Sequence, residues 1–106
     1  MTEINFEKIG KRIRELRISK GLTQEYVANI ANVNVSHISN IENNRVKISL
    51  ATLVCVCNAL QTTVDYILLD EYTSPDNVLD HEILRELQGC SSDTKEKVLQ
   101  IIKILA

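Results

Sequence analysis

The sequence predicts an all-α chain, five short helices followed by a two-helix hairpin, and three observations predict it. With Gly three times and Pro once in 106 residues, turn-forming residues are too scarce for a sandwich or a barrel. Apolar residues recur at three- and four-residue steps, and no stretch shows the alternation of a strand. Hydrophobic residues make up 44% of the chain and charged ones 25%, enough to fill a core and compatible with about one domain. A multidomain enzyme is thereby excluded, and low-complexity disorder is disfavoured.

Phe6, Ile9, Ile13 and Leu16 form the stripe of the first helix, and Gly21 after Lys20 is its stop signal. Thr23 caps the second by offering its hydroxyl to free backbone N–H groups, while Glu25 favours the positive end of the helix dipole. Val27, Ala28 and Ala31 face inward. Asn32 tolerates the left-handed backbone that a tight turn between helices requires. Asn34 caps the third helix, in which Ile38 and Ile41 point one way and Ser36, Ser39, Asn40 and Asn43 the other. That outward face is polar and uncharged. Ser and Asn are poor helix formers, so the face suits contacts rather than stability. Asn44 ends the helix, and Arg45 and Lys47 follow in a short basic loop.

Ser49 caps a fourth helix whose Leu50, Leu53, Val56, Cys57 and Leu60 give a broad apolar face, and Thr63 caps a short fifth over 64–69. Residues 70–78 are acidic, hold Pro75, and read as a linker between a domain over 1–69 and a hairpin over 79–106. In the hairpin, Leu79, Ile83, Leu84 and Leu87 run up to Gly89. Ser92 is then expected to cap a last helix carrying Val98, Leu99, Ile101, Ile102 and Leu105. These side chains offer more apolar surface than two short helices can hide from each other. The cover is either the first five helices or a second subunit, and the linker favours the second subunit.

Charge is divided unevenly. Residues 1–63 carry eight Lys or Arg against five acids, whereas 64–106 carry four against nine. Lys8, Lys11, Arg12, Arg14, Arg17 and Lys20 crowd one segment, either a solvated helix face or a surface that meets a polyanion. Cys55 and Cys57 lie two apart in an apolar run, where helical geometry points them apart, so the cysteines read as buried thiols. No segment approaches the roughly 20 apolar residues of a membrane span, and residues 1–11 lack a signal-peptide pattern. A cytoplasmic location is expected. No glycine-rich phosphate loop, HExxH or cysteine-rich knuckle is present, so no catalytic residues, metal or cofactor are expected.

Two short helices about three residues apart, the second with a polar outward face, make a helix-turn-helix whose second helix fits the DNA major groove. The run from Leu22-Thr-Gln-Glu to Ile38-Ser-Asn-Ile-Glu-Asn43 resembles the Cro and phage-repressor (Xre-like) family, where L-T-Q-E, an Ala five places after the Thr, and I-S-x-I-E-N recur. The resemblance covers about residues 6–69 and implies a five-helix, lambda-repressor-like DNA-binding domain. It implies that Gln24 bonds a phosphate and supports the first base contact. Ser36 and Asn40 match the family's base-reading positions, with Asn34, Val35 and Ser39 beside them; Asn pairs with adenine bidentately and Val packs on a thymine methyl. Asn43, Arg45 and Lys47 resemble its phosphate-clamping loop, and Arg17 and Glu42 an ion pair tying the first helix to the end of the third. Asn32 and Asn44 stand where the family usually has Gly and keep the left-handed tolerance. Ile48 stands where it usually has Pro and is expected to leave the loop less rigid. His37, off the outward face, reads as partly buried or phosphate-touching.

The resemblance implies a sequence-specific DNA-binding transcriptional regulator, a repressor acting as a homodimer on a palindromic operator in double-stranded DNA. A net charge of −2 argues against indiscriminate coating of DNA. The layout is similar to that of the SinR group. The alternative is an antitoxin or other interaction regulator whose acidic C-terminal half binds a partner protein.

Overall fold

The computed structural model describes residues 3–72 and 77–106, the side chain of Asn77 excepted. The elements are α1 (Phe6–Ser19), α2 (Gln24–Ala31), α3 (Val35–Glu42), α4 (Leu50–Leu60), α5 (Val64–Ile67), a 3₁₀ turn (Leu69–Glu71), α6 (Asn77–Gln88) and α7 (Ser92–Leu105). Every regular element among the described residues is helical. The chain divides into two compact units, Met1–Tyr72 and Thr73–Ala106.

Local chemistry sets most helix boundaries. Side-chain oxygens of Asn5, Thr23, Ser49 and Thr63 accept from the N–H groups of Lys8, Tyr26, Thr52 and Tyr66 and so begin α1, α2, α4 and α5. The last helix departs from the sequence reading. Ser91, not Ser92, is in the extended conformation that lets its hydroxyl accept from Thr94, so Ser92 becomes the first helical residue. Helix α2 ends on left-handed Asn32 at φ 57°, α3 is followed by Asn43 at φ −97° and then by left-handed Asn44 at φ 58°, and Gly21 after α1 has φ 69°. Gln61 is also left-handed, at φ 54°, although it is neither Gly nor Asn. The Lys20 ammonium donates to the carbonyls of Leu60 and Gln61 and holds that turn.

Ile9, Ile13 and Leu16 of α1 meet Val27, Ala28 and Ala31 of α2, Ile38 and Ile41 of α3, and Leu53, Val56, Cys57 and Leu60 of α4 in one core that Ile67 closes. The short fifth helix ends at Ile67 rather than at residue 69, because Leu69 turns inward and opens the 3₁₀ turn. The expected linker is correspondingly shorter. Asp70 pairs with Arg12, and Glu71 accepts from the backbone N–H of Asn5, so both acids belong to the first unit, while α6 starts at Asn77. Pro75 lies outside the described residues.

In the second unit Leu84, Leu87 and Val98 are half-buried, and no residue of α7 is buried. Ile83 is 44% exposed, Ile101 54% and Leu105 79%. Against the expectation of buried thiols, only Cys57 is buried, and burial pushes its pKa up to about 11; Cys55 faces solvent and Cys90 is half-buried. Among the described residues no helix is long and apolar enough to cross a membrane, and no three His, Cys, Asp or Glu stand together as a metal site would require.

Candidate nucleic-acid interface

The α2–α3 pair is built from a short turn. Asn32 reverses the chain in the left-handed state, the Val33 N–H donates to the Ala28 carbonyl at 3.0 Å, and Asn34 starts α3 from an extended backbone. Asn34 holds the cap position, but its side chain makes no capping bond. Beyond it, Val35 and Ser36 are exposed on α3, Ser39 and Asn40 are half-buried, and Ile38, Ile41 and Glu42 are buried beneath. Val33, Asn34, Ser36, His37 and Asn40 line a shallow depression of about 410 Å³ on this side of α3.

The inner end of α3 is clamped by charge. Glu42, its carboxylate fully enclosed, accepts from Arg17 Nε at 2.8 Å and Nη2 at 2.9 Å, a two-pronged pair whose planar fork matches the carboxylate. Arg17 Nη1 donates to the Leu22 carbonyl at 2.9 Å, and Gln24 Nε2 donates to Glu42 Oε1 at 3.0 Å. The bonds to Glu42 outweigh the desolvation of the guanidinium and raise its pKa further. Gln24 is therefore fixed by Glu42 at the start of α2.

Gly10 is a positioning residue that pattern reading passed over. A Cβ built there would stand 2.2 Å from the Ile41 carbonyl oxygen and 3.4 Å from Glu42 Cα, so only glycine lets α1 lie against the end of α3. Its signal in the sequence is a glycine inside a helical pattern, where it costs about 1 kcal/mol relative to alanine unless packing requires it.

The loop after α3 is held at both ends. Asn43 Nδ2 donates to the Ser39 carbonyl at 2.9 Å, and the Arg45 N–H reaches the Asn40 carbonyl at 2.8 Å. Ile48 is only 7% exposed in the core, so the loop expected to be loose without proline is anchored by burial instead. Arg45 and Lys47 are exposed, and the Lys47 ammonium stands 5.6 Å from the centre of the Phe6 ring. Three of the six cations of the basic run face inward tasks. Arg12 meets Asp70, the Tyr66 carbonyl and the Tyr66 ring, Arg17 meets Glu42, and Lys20 closes α4. Lys8, Lys11 and Arg14 remain exposed.

The family model described as helix-turn-helix, HTH_3, matches residues 13–67, which contain α2, its turn and α3 entire. The chain belongs to this helix-turn-helix family, of the Cro/C1, Xre-like type. An uncharacterised HTH-type transcriptional regulator of Rickettsia conorii is 30% identical over 92% of this chain and 86% of its own length. The immunity repressor of Bacillus phage phi105 is 38% identical over 59% of this chain and 44% of its own. Among solved structures, a complex of SinR protein with SinI protein matches at 26% identity and a TM-score of 0.56, covering 90% of this chain and 94% of that one. This helix-turn-helix protein is a DNA-binding transcriptional regulator, of a class that binds DNA rather than catalysing a reaction.

Proposed function

We infer that the protein is a cytoplasmic repressor that binds a palindromic operator as a homodimer, each protomer laying α3 in the major groove. The uncharged polar side of α3, mounted on a clamped and buried inner side, carries this reading. Val35, Ser36 and Asn40 read base edges, with Asn34 and Ser39 beside them. Asn43, Arg45 and Lys47, with Gln24 at the start of α2, meet phosphates. Asn43 does so from a side chain already tied to Ser39, so its part is to fix the loop's approach. The hairpin of α6 and α7 supplies the dimer contact. Its support is the exposure of Ile83, Leu99, Ile101 and Ile102, and the groove of about 610 Å³ that Leu79, Ile83, Leu87 and Val98 help to line.

Similarity to a chain of the SinR protein/SinI protein complex favours a second reading, in which this protein also meets a protein partner. An antitoxin role without operator binding has no comparable support. Substitution at two positions tests the interface. Asn40→Ala should cost about 1 to 3 kcal/mol and relax discrimination at one base pair. Arg45→Ala should weaken binding to all duplexes and flatten the salt dependence by about one unit. Titrations against a set of base-substituted operators at several salt concentrations distinguish the two patterns, and unchanged discrimination in Asn40→Ala would remove α3 from base reading.

A further inference from the structure

The core of the first unit closes at Ile67, and Leu69 is the last buried residue of that unit. Two acids follow that fill no core, and both are tied to α1. Arg12 Nη2 donates to Asp70 Oδ2 while its Nη1 donates to the Tyr66 carbonyl at 3.1 Å, and the guanidinium stands 5.7 Å from the centre of the Tyr66 ring. Glu71 Oε1 accepts from the Asn5 N–H at 2.5 Å. A partly exposed pair such as Arg12 with Asp70 contributes little to stability. What these bonds fix is a path. Asn5 caps α1, and the ring of its neighbour Phe6 has the Lys47 ammonium 5.6 Å from its centre, beside a hollow that Asn5, Phe6, Asn44 and Lys47 help to line. The chain is therefore tied, at Glu71, next to the loop that carries Arg45 and Lys47.

We propose that Asp70 and Glu71 are positioning residues for DNA binding: held on α1, they fix where the chain leaves the first unit and so the half-site spacing that the dimer accepts. This rests on the reading of α6 and α7 as the dimer contact and of the loop after α3 as a phosphate contact. With both acids held, residues 72–76 are the whole span from Glu71 to α6, with a reach of at most about 18 Å. Released back to buried Leu69, the span becomes residues 70–76, and its reach about 25 Å. The gain of about 7 Å per protomer matches the rise of about two base pairs, at about 3.4 Å each. Two added base pairs also turn a half-site by about 70° around the duplex, since one turn takes about 10 to 10.5. A span too short for that displacement gives up one half-site, whereas a longer one keeps both.

The test is fluorescence anisotropy of the full chain with a duplex that the wild-type protein enriches from a random-sequence pool, as selected and with two base pairs added between its half-sites. Wild type should lose on the order of 100-fold on the longer duplex, and the double variant Asp70→Ala, Glu71→Ala about tenfold or less. On a duplex holding a single half-site the two proteins should bind equally. A Gly-Ser insertion after Tyr72 adds the same length without touching either tie, and it should broaden the spacing profile in the same way. An equal loss by the double variant on every duplex, the single half-site included, would make the acids part of the fold alone and overturn the proposal. So would a profile as sharp as wild type in the double variant beside a broadened one in the insertion. A sharp profile in the insertion itself would show that span length does not set the spacing, and overturns it as well. If the enriched duplexes carry no paired half-sites, the reading as a dimer on a palindromic operator fails, and the positioning role with it.

Discussion

The two units use similar side chains for opposite ends. In Met1–Tyr72 most isoleucines and leucines of α1 to α5 close on one another, with Ile13, Ile38, Leu60 and Ile67 almost wholly buried, although Ile18, Ile30 and Leu50, the last expected on the apolar face of α4, stay exposed. In Thr73–Ala106 the same residue types are left open: Leu79 is 64% exposed and Ile104 80%. Burial of apolar area is worth about 25 cal/mol per Å², so the first unit has already gained that stabilisation and the second has most of it still to gain. An apolar helix stripe is thus not by itself a core. It becomes one only when the chain brings enough faces together, and two helices do not.

Removing the second unit should give the largest effect. A fragment ending at Tyr72 should keep cooperative unfolding, sediment as a monomer and bind a palindromic duplex on the order of 100-fold more weakly, because two linked half-site contacts become one. A fragment that stays dimeric at micromolar concentration, or unfolds, would show that the hairpin belongs to the first unit's core.

Next in size comes one acid from each unit. Glu42→Ala leaves Arg17 without its partner at an enclosed site and should cost about 3 to 5 kcal/mol, whereas Glu86→Ala on exposed α6 should cost about 0 to 1. Urea unfolding of the two variants reads this directly, and equal midpoints would mean that the clamp contributes no more than a surface pair. The smallest contrast concerns two glycines. Gly10→Ala should destabilise by about 1 to 3 kcal/mol through its clash with the Ile41 carbonyl, reversing the usual preference for alanine in a helix. At Gly89 a Cβ meets only the Glu86 carbonyl at 3.7 Å, so Gly89→Ala should stay within about 0.5 kcal/mol of wild type. A loss at Gly89 as large as at Gly10 would mean that the second unit is packed more tightly than its exposure indicates.

What was legible in the sequence follows the range of the interactions. Thr23, Ser49 and Thr63 cap their helices through N–H groups three residues away, and Asn32 and Asn44 turn left-handed through their own short side chains, so a local reading reaches them. The left-handed Gln61 is stabilised by Lys20, 41 residues earlier, and the linker shortens because Arg12 meets Asp70 at a separation of 58. No local pattern carries either fact. For the interface, spacing alone gave the polar face of α3. The roles of Arg17, Glu42 and Gln24 came from the family resemblance, and the need for Gly10 came only from seeing α1 against Ile41. The basic run was the least legible signal. Its charges look alike in sequence, yet three of them are engaged within the fold.

The Asn5 N–H on Glu71 and Arg12 on Asp70 bring the first and last turns of the opening unit together. A unit whose two ends meet is portable, because a chain can enter and leave it at one place without crossing its core. New segments can therefore be joined after Tyr72 without breaking into the core that α1 to α5 share.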